Sequence, residues 1–189
     1  MKSILLIAGA ALLISFVPPM LQPSEIIEGF DFGQSKDGQS WLVMNDGVMG
    51  GLSSGESSLL KNSLKLAGEI SLENRGGFSS VRSPWGKMDL SNFSKVNIRY
   101  RSSGQVVAIA FETNRRWWRP YYLLDLETTD GEWKSVSLNI QDAKEISVVS
   151  PTGEHLEEDQ LGAILRIGFM THEKKASPFE FEADYLKFE

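Results

Sequence analysis

Residues 115–122, Arg-Arg-Trp-Trp-Arg-Pro-Tyr-Tyr, combine aromatic and cationic side chains more densely than the rest of the chain. Aromatic faces stack on sugar rings and peptide groups, and guanidinium groups pack over aromatic faces. Because consecutive side chains of a strand point to opposite faces, we expect part of 116–119 to be exposed at a hairpin tip or sheet edge. Two interpretations are open: an aromatic corner that closes the core beneath the arginines, or a binding platform that includes Arg116, Trp117, Trp118 and Tyr121.

A second group of candidate residues lies in residues 41–55, where a short apolar run ends at Asn45-Asp46-Gly47 and the chain breaks again at Gly50-Gly51. Asn and Asp side chains accept hydrogen bonds from nearby backbone N–H groups, and glycine adopts positive φ at little cost. The two breaks predict a constrained loop that presents Val48 and Met49. This loop is either a turn between strands or a binding loop, since rigidly held loops often bind ligands.

The residues that could perform catalysis are few and poorly placed. The Gly-x-Ser-x-Gly pattern around Ser53 matches a hydrolase nucleophile elbow only formally, because no helical pattern follows it and no histidine base is indicated. His155 and His172 do not have the spacing of zinc ligands. The chain has no cysteine, which excludes disulfides and thiolate metal sites. We therefore expect a protein that is not an enzyme, with no catalytic residue, no metal and no cofactor.

Composition restricts the class of partner. The chain has 189 residues, of which 41% are hydrophobic and 23% charged, as is typical of one soluble globular domain. Its formal net charge is −6, whereas nucleic-acid binding needs clustered lysine and arginine on the surface. We therefore expect no nucleic-acid partner.

The first residues predict a targeting segment. Lys2 precedes an apolar run over residues 4–17, which Pro18-Pro19 ends. This run is shorter than the about 20 residues of a membrane-spanning helix and is typical of a signal-peptide core. We expect export to the periplasm or the exterior, with residues 1–22 either cleaved or kept as a membrane anchor through residues 4–17. The folded domain is expected over residues 23–189.

The rest of the chain shows the period-two alternation of half-buried strands. About ten strands with short turns between them predict an all-β antiparallel sandwich or jelly roll. Strands 106–113 and 163–170 are apolar on both faces, which places them centrally. We expect a hairpin turn at Thr129-Asp130-Gly131, one or two helical turns at 156–161, and a bulge near Tyr185 where the apolar phase slips. The predicted strands are 28–32, 64–72, 78–83, 96–100, 106–113, 121–127, 133–138, 163–170 and 179–185.

Two motifs resemble the complex I intermediate-associated protein 30 family. They are Asn-Asp-Gly-Val-Met-Gly-Gly-Leu-Ser at 45–53 and Ser-Leu-Glu-Asn-Arg-Gly-Gly-Phe-Ser-Ser-Val-Arg at 71–82, and shorter matches follow at 89–91, 131–133 and 179–184. The resemblance extends from about residue 28 to the C-terminus, and the chain departs from the family pattern after Leu138. It implies a single galactose-binding-like jelly-roll β-sandwich. Mitochondrial members of that family assist the assembly of respiratory complex I.

The resemblance also makes residues 73–77 the partner of the first motif. Either Arg75 pairs with Asp46 and joins the two loops as scaffold, or four polar side chains converge on one ligand pocket: Asn45, Asp46, Asn74 and Arg75. The function implied is that of a non-enzymatic assembly or chaperone-like factor that binds proteins, with a membrane respiratory complex as one such partner. The alternative is an exported glycan-binding module that uses its loops, including Met49, and the aromatic platform.

Overall fold

The structure is a computed structural model that describes residues 28–147 and 150–189. The expected targeting segment, residues 1–22, lies outside the described residues. Within 28–147 and 150–189, no helix has both the length and the apolar character needed to cross a membrane.

Thirteen strands and one short helix are present in the described part of the chain. Four turns of 3-10 helix lie between them, at Asp37–Ser40, Asp46–Met49, Glu73–Arg75 and Ile140–Asp142. The strands are β1 (Gly29–Asp31), β2 (Leu42–Asn45), β3 (Ser54–Leu59), β4 (Leu64–Ile70), β5 (Ser79–Arg82), β6 (Lys95–Ser103), β7 (Val107–Glu112), β8 (Tyr121–Leu126), β9 (Lys134–Asn139), β10 (Lys144–Ser147), β11 (Ser150–His155), β12 (Arg166–Thr171) and β13 (Ser177–Phe188), and the helix is α1 (Glu158–Leu161).

The strands form two antiparallel sheets that pack face to face. One sheet has the order β3-β4-β13-β6-β9, and β1 pairs with the C-terminal end of β13. The other, seven-stranded sheet has the order β11-β10-β8-β7-β12-β5-β2. This architecture confirms the predicted all-β jelly-roll sandwich.

The core lies between the sheets because each strand turns alternate apolar side chains inward. In β13, Phe179 and Phe181 point into the core; a register shift follows between Ala183 and Tyr185, after which Leu186 points inward. The predicted phase slip is therefore a real bulge.

Strands β7 and β12 lie side by side within the seven-stranded sheet, as their two apolar faces predict. Their inner side chains, including Phe111 and Phe169, are fully buried in the core. On the outer face the middle of β7 presents Ala108 and Ala110, which are too small to fill the space above them. The outer face of this sheet therefore has a depression at its centre.

The predicted hairpin between residues 121–127 and 133–138 is wrong. Residues 129–131 do turn, with positive φ at Asp130 and Gly131. Strand β8 belongs to the seven-stranded sheet, however, and β9 belongs to the other. The N–H groups of Thr129 and Gly131 donate to the carbonyl oxygen of Ser102 in β6, which holds the turn at the place where the chain crosses between sheets.

Four strands were not predicted: β2, β3, β10 and β11. Strands β3 and β11 are edge strands, and β11 is exposed along its whole length. Edge strands with two solvated sides need no apolar alternation, so their sequences show none.

Candidate functional site

A cleft of about 670 Å³ crosses the outer face of the seven-stranded sheet. Its floor is formed by side chains from β2, β5, β12, β7, β8 and β10. Its walls are two loops, residues 46–49 with residues 77–78 on one side and residues 114–120 on the other.

The middle of the cleft floor is apolar. Leu123, Ile146 and Met170 form a small hydrophobic cluster with the two alanines of β7, and Phe78 packs against it. This cluster is separate from the core between the sheets. A hydrophobic cluster at the bottom of an open cleft offers a contact surface for apolar groups.

Glu112 lies between two arginine side chains in the cleft. Its Oε1 accepts hydrogen bonds from Nη1 of Arg82 at 2.9 Å and Nε of Arg166 at 2.8 Å, and its Oε2 accepts one from Nη2 of Arg166 at 2.7 Å. The guanidinium carbon of Arg166 lies 3.7 Å from the ring centre of Trp85. A Cβ at Gly168 would lie 2.8 Å from Cγ of Arg82, so glycine allows this arginine to cross β12 closely. The three charged groups form a fixed ion cluster.

Cationic side chains predominate around the cleft. Burial lowers the pKa of Arg82, and the charge of Glu112 opposes that effect. Burial raises the pKa of Tyr121, whose hydroxyl is therefore neutral at ordinary pH. Among the described residues, the one carboxylate that lines the cleft is Glu112, whereas its lysines and arginines are Arg82, Arg115, Arg116, Arg119, Arg166 and Lys174.

One wall exposes two apolar side chains. Residues 46–49 form a turn of 3-10 helix that ends at Gly50, which has a φ of 87°. Val48 is 72% exposed and Met49 is 53% exposed, as the two breaks in the sequence predicted. Both line the cleft.

The Asp46 carboxylate holds this wall in place. It is fully buried and accepts the N–H groups of Ser53 at 2.9 Å, Gly77 at 2.6 Å and Phe78 at 3.3 Å, and the Ser53 hydroxyl at 2.5 Å. A Cβ at Gly51 would overlap this carboxylate. Burial raises the pKa of Asp46, but the hydrogen bonds from the Ser53 hydroxyl and the three N–H groups outweigh it, so the pKa lies below its usual value of 3.8.

The predicted pairing of Asp46 with Arg75 is therefore wrong. Backbone N–H groups and a hydroxyl satisfy the carboxylate, and Arg75 is exposed with a φ of 63°. The predicted convergence of four polar side chains is also wrong. Asn45 accepts a hydrogen bond from the Ser79 hydroxyl at 2.7 Å within the protein, and Asn74 is exposed with a φ of 52°. The two motifs meet through Asp46 as scaffold, because backbone N–H groups lie nearer to it than any guanidinium.

The opposite wall is the tip of the β7–β8 hairpin, where the aromatic and cationic stretch was expected. Trp117 is 71% exposed and Trp118 is 52% exposed. Their rings meet edge to face, with centres 5.9 Å apart. A turn fixes the tip, since the N–H of Arg119 donates to the carbonyl oxygen of Arg116 at 2.9 Å.

The structure brings four of the predicted binding residues to the cleft: Met49, Arg116, Trp117 and Tyr121. Trp118 is exposed beside Trp117 and does not line the cleft. Sequence reasoning missed the ion cluster and Trp85. The sequence did contain a signal for the ion cluster: Arg166 and Glu112 are charged residues at the ends of two otherwise apolar central strands.

The side chains of Ser53 and His172 contact carboxylates within the protein. Ser53 is buried and donates to Asp46. His172 lies 2.8 Å from the Asp125 carboxylate, and this contact, together with Lys144, lowers the pKa of Asp125. In residues 28–147 and 150–189 no group of three or more histidine, aspartate or glutamate side chains has metal-binding geometry.

The fold is similar to that of solved carbohydrate-binding modules. The family 11 carbohydrate-binding module from Clostridium thermocellum, in complex with a β-1,3-1,4-mixed-linked tetrasaccharide, aligns with a TM-score of 0.60 and 14% identity over 85% of this chain and 94% of the module. The family 11 module of the cellulosomal cellulase Lic26A-Cel5E of Clostridium thermocellum aligns with a TM-score of 0.60 and 15% identity over 87% of this chain and 95% of the module. The agarase AgWH50C aligns with a TM-score of 0.53 and 14% identity over 84% of this chain and 24% of the agarase. At these identities the likeness concerns the fold alone.

No curated protein sequence matches the chain. Residues 30–183 match the sequence pattern of complex I intermediate-associated protein 30. That match spans most of the chain and includes both loop motifs that meet at Asp46. The chain therefore belongs to the complex I intermediate-associated protein 30 family.

Proposed function

We propose that this chain is a non-enzymatic binding protein that assists the assembly of a protein complex by holding a protein partner in the cleft. The observation that supports this most is the exposure of Val48, Met49 and Trp117 on opposite walls of one apolar-floored cleft. Methionine, tryptophan and arginine are enriched where proteins bind proteins, and large apolar side chains on a surface mark interaction sites. Family membership supports the same proposal.

A role without catalysis is supported by the state of the cleft's acidic group. Both oxygens of Glu112 accept hydrogen bonds from arginine side chains. The carboxylate is therefore engaged by the two guanidinium groups and holds them in position. The cleft is thus suited to binding.

A membrane respiratory complex, or another complex of the cell envelope, fits the proposal as partner. The Lys2 charge and the apolar residues 4–17 support export of the domain, with this segment either cleaved or retained as an anchor.

The test is capture of partners from the envelope fraction by the full-length protein. The protein is compared with Trp117→Ala/Trp118→Ala and with Trp133→Ala, which removes an exposed tryptophan from the outer face of the other sheet. We expect the wild type and Trp133→Ala to recover the same membrane-complex subunits and the double variant to lose them. Equal recovery by all three proteins, with equal melting temperatures, would exclude the cleft as the contact surface.

A second candidate function is glycan binding. The exposed Trp117–Trp118 pair supports it, because sugar rings stack on indole faces, and so does the likeness of fold to a family 11 module bound to a tetrasaccharide. A glycan array with the same three proteins tests it. A glycan signal lost in the double variant, in the absence of protein partners, would favour this second function.

A further inference from the structure

We propose that the cleft takes an acidic amphipathic polypeptide segment, with apolar side chains on the floor and carboxylates at the walls. This inference rests on the proposed function and names the chemistry of the partner. Its basis is the contrast between an apolar floor and cationic surroundings in a chain whose net charge is −6.

The charged side chains of the cleft offer hydrogen-bond donors and few free acceptors. Lysine and arginine side chains donate hydrogen bonds and accept none. The carboxylate oxygens of Glu112 are occupied by Arg82 and Arg166. A neutral sugar hydroxyl needs acceptors as well as donors, whereas a carboxylate needs donors alone. The charged side chains of the cleft therefore favour ligands that carry carboxylates.

Four cationic side chains at the walls are free to pair with a ligand. Arg115, Arg116, Arg119 and Lys174 are exposed at the walls. Within residues 28–147 and 150–189, none of the four forms an ion pair with a carboxylate. Arg115 lies 5.5 Å from the ring centre of Trp85, and Arg116 lies 5.9 Å from that of Trp118. These contacts orient the guanidinium groups and leave their charge unneutralised.

The floor of the cleft suits a polypeptide better than an acidic glycan. The floor side chains Leu123, Ile146 and Met170 are aliphatic or thioether groups, with Phe78 and Met44 beside them. Such groups bury apolar side chains well and make no hydrogen bond to sugar hydroxyls. Methionine also adapts its shape to different apolar groups. Apolar residues flanked by aspartate or glutamate match both parts of the cleft.

The experiment selects short random peptides displayed on phage against the full-length protein. The same selection is made with Arg116→Gln/Arg119→Gln/Lys174→Gln. The matched control is Lys65→Gln/Lys134→Gln/Lys187→Gln, which removes the same charge from elsewhere on the domain. Thermal melting first establishes that all three proteins are folded. Oligogalacturonate serves as the carboxylate-bearing glycan probe.

We expect the wild type to enrich peptides that combine aspartate or glutamate with apolar residues. Their affinity should fall roughly tenfold in the cleft variant, since three exposed charge pairs are lost together. It should stay unchanged in the matched control and should weaken as salt screens the charges.

Three results would overturn the inference. Enriched peptides without acidic residues, or with equal affinity for the cleft variant, would leave a protein-binding cleft but exclude an acidic partner. Binding of oligogalacturonate without any enriched peptide would assign the cleft to an acidic glycan. Enrichment of nothing by the wild type would exclude a short peptide segment as occupant, and if envelope partners were still captured through Trp117 and Trp118, the proposed function would stand without this inference.

Discussion

The outer faces of the two sheets differ in how their charges are satisfied. On the six-stranded sheet, cations and carboxylates pair across neighbouring strands: Lys65 with Glu180 at 2.8 Å, Arg99 with Asp184 at 2.7 Å and Arg101 with Glu182 at 2.5 Å. In the cleft of the seven-stranded sheet, one carboxylate lies between Arg82 and Arg166 beneath four further exposed cations.

The two faces also differ in shape. The hollow lined by Arg101 and Glu180 at the six-stranded sheet encloses about 50 Å³, whereas the cleft encloses about 670 Å³. Long side chains that pair across strands fill the first face, while the small outer side chains of β7 leave the second face low between its loops. A face that satisfies its own charges has little to offer a partner. This difference supports the proposal that a partner binds the outer face of the seven-stranded sheet.

The largest expected effect comes from removing the carboxylate of the largely buried ion cluster. Glu112→Gln leaves Arg82 and Arg166 facing each other with no counter-charge, and breaking a buried ion pair costs roughly 3–5 kcal/mol. Urea denaturation measures the free energy of unfolding. The matched change Glu180→Gln, in a half-exposed pair on the other face, should cost about 0–1 kcal/mol. Equal losses in the two variants would contradict the difference between the faces.

Asp46→Asn should have the next largest effect. The amide replaces one acceptor oxygen with a donor that faces backbone N–H groups, and an unsatisfied buried group costs about 1–3 kcal/mol. We expect lower stability in urea and a more mobile wall, with faster hydrogen exchange in residues 46–53. Partner binding lost at unchanged stability would show instead that Asp46 contacts the ligand directly.

Each of the two faces has a tryptophan that lies over an arginine. Trp85 stacks on buried Arg166 at 3.7 Å, and Trp133 lies 4.4 Å from the partly exposed Arg99. Cation–π contacts contribute about 2 kcal/mol when desolvated and about 0.5–1 kcal/mol when exposed. Trp85→Ala should therefore destabilise the protein more than Trp133→Ala in thermal and urea unfolding. The reverse order would indicate that the cleft cluster is more solvated than its burial implies.

The smallest expected effect is a dependence on pH. The pKa of Asp46 in the folded protein lies below the usual value of 3.8, so its contribution to stability is complete above that value and is lost as the pH falls through the folded pKa. Stability of the wild type should fall in acid below about pH 4. In Asp46→Asn the fall should be shallower, whereas Asp89→Asn, at an exposed turn, should leave most of it. An unchanged slope in Asp46→Asn would exclude this carboxylate as the titrating group.

The sequence by itself determined the class of fold and the exposed parts of the site. Alternation with period two requires strands, and strands apolar on both faces must lie centrally, so β7 and β12 were predictable. The paired breaks around Val48 and Met49 predicted an exposed loop, and the run at 116–119 could not be buried as a strand. These conclusions depend on local geometry that neighbouring residues settle among themselves.

Only the tertiary structure decided which distant residues meet. Arg82, Glu112 and Arg166 come from three strands that are neighbours in the sheet and far apart in the chain, and alternation is silent about pairing. The same holds for Asp46, whose partners are backbone N–H groups that carry no mark in the sequence, and for residues 129–131, where Ser102 directs the chain to the other sheet. The cleft exists because small side chains at the centre of one sheet lie below loops contributed from both sides, and that relation arises only when the sheet has formed.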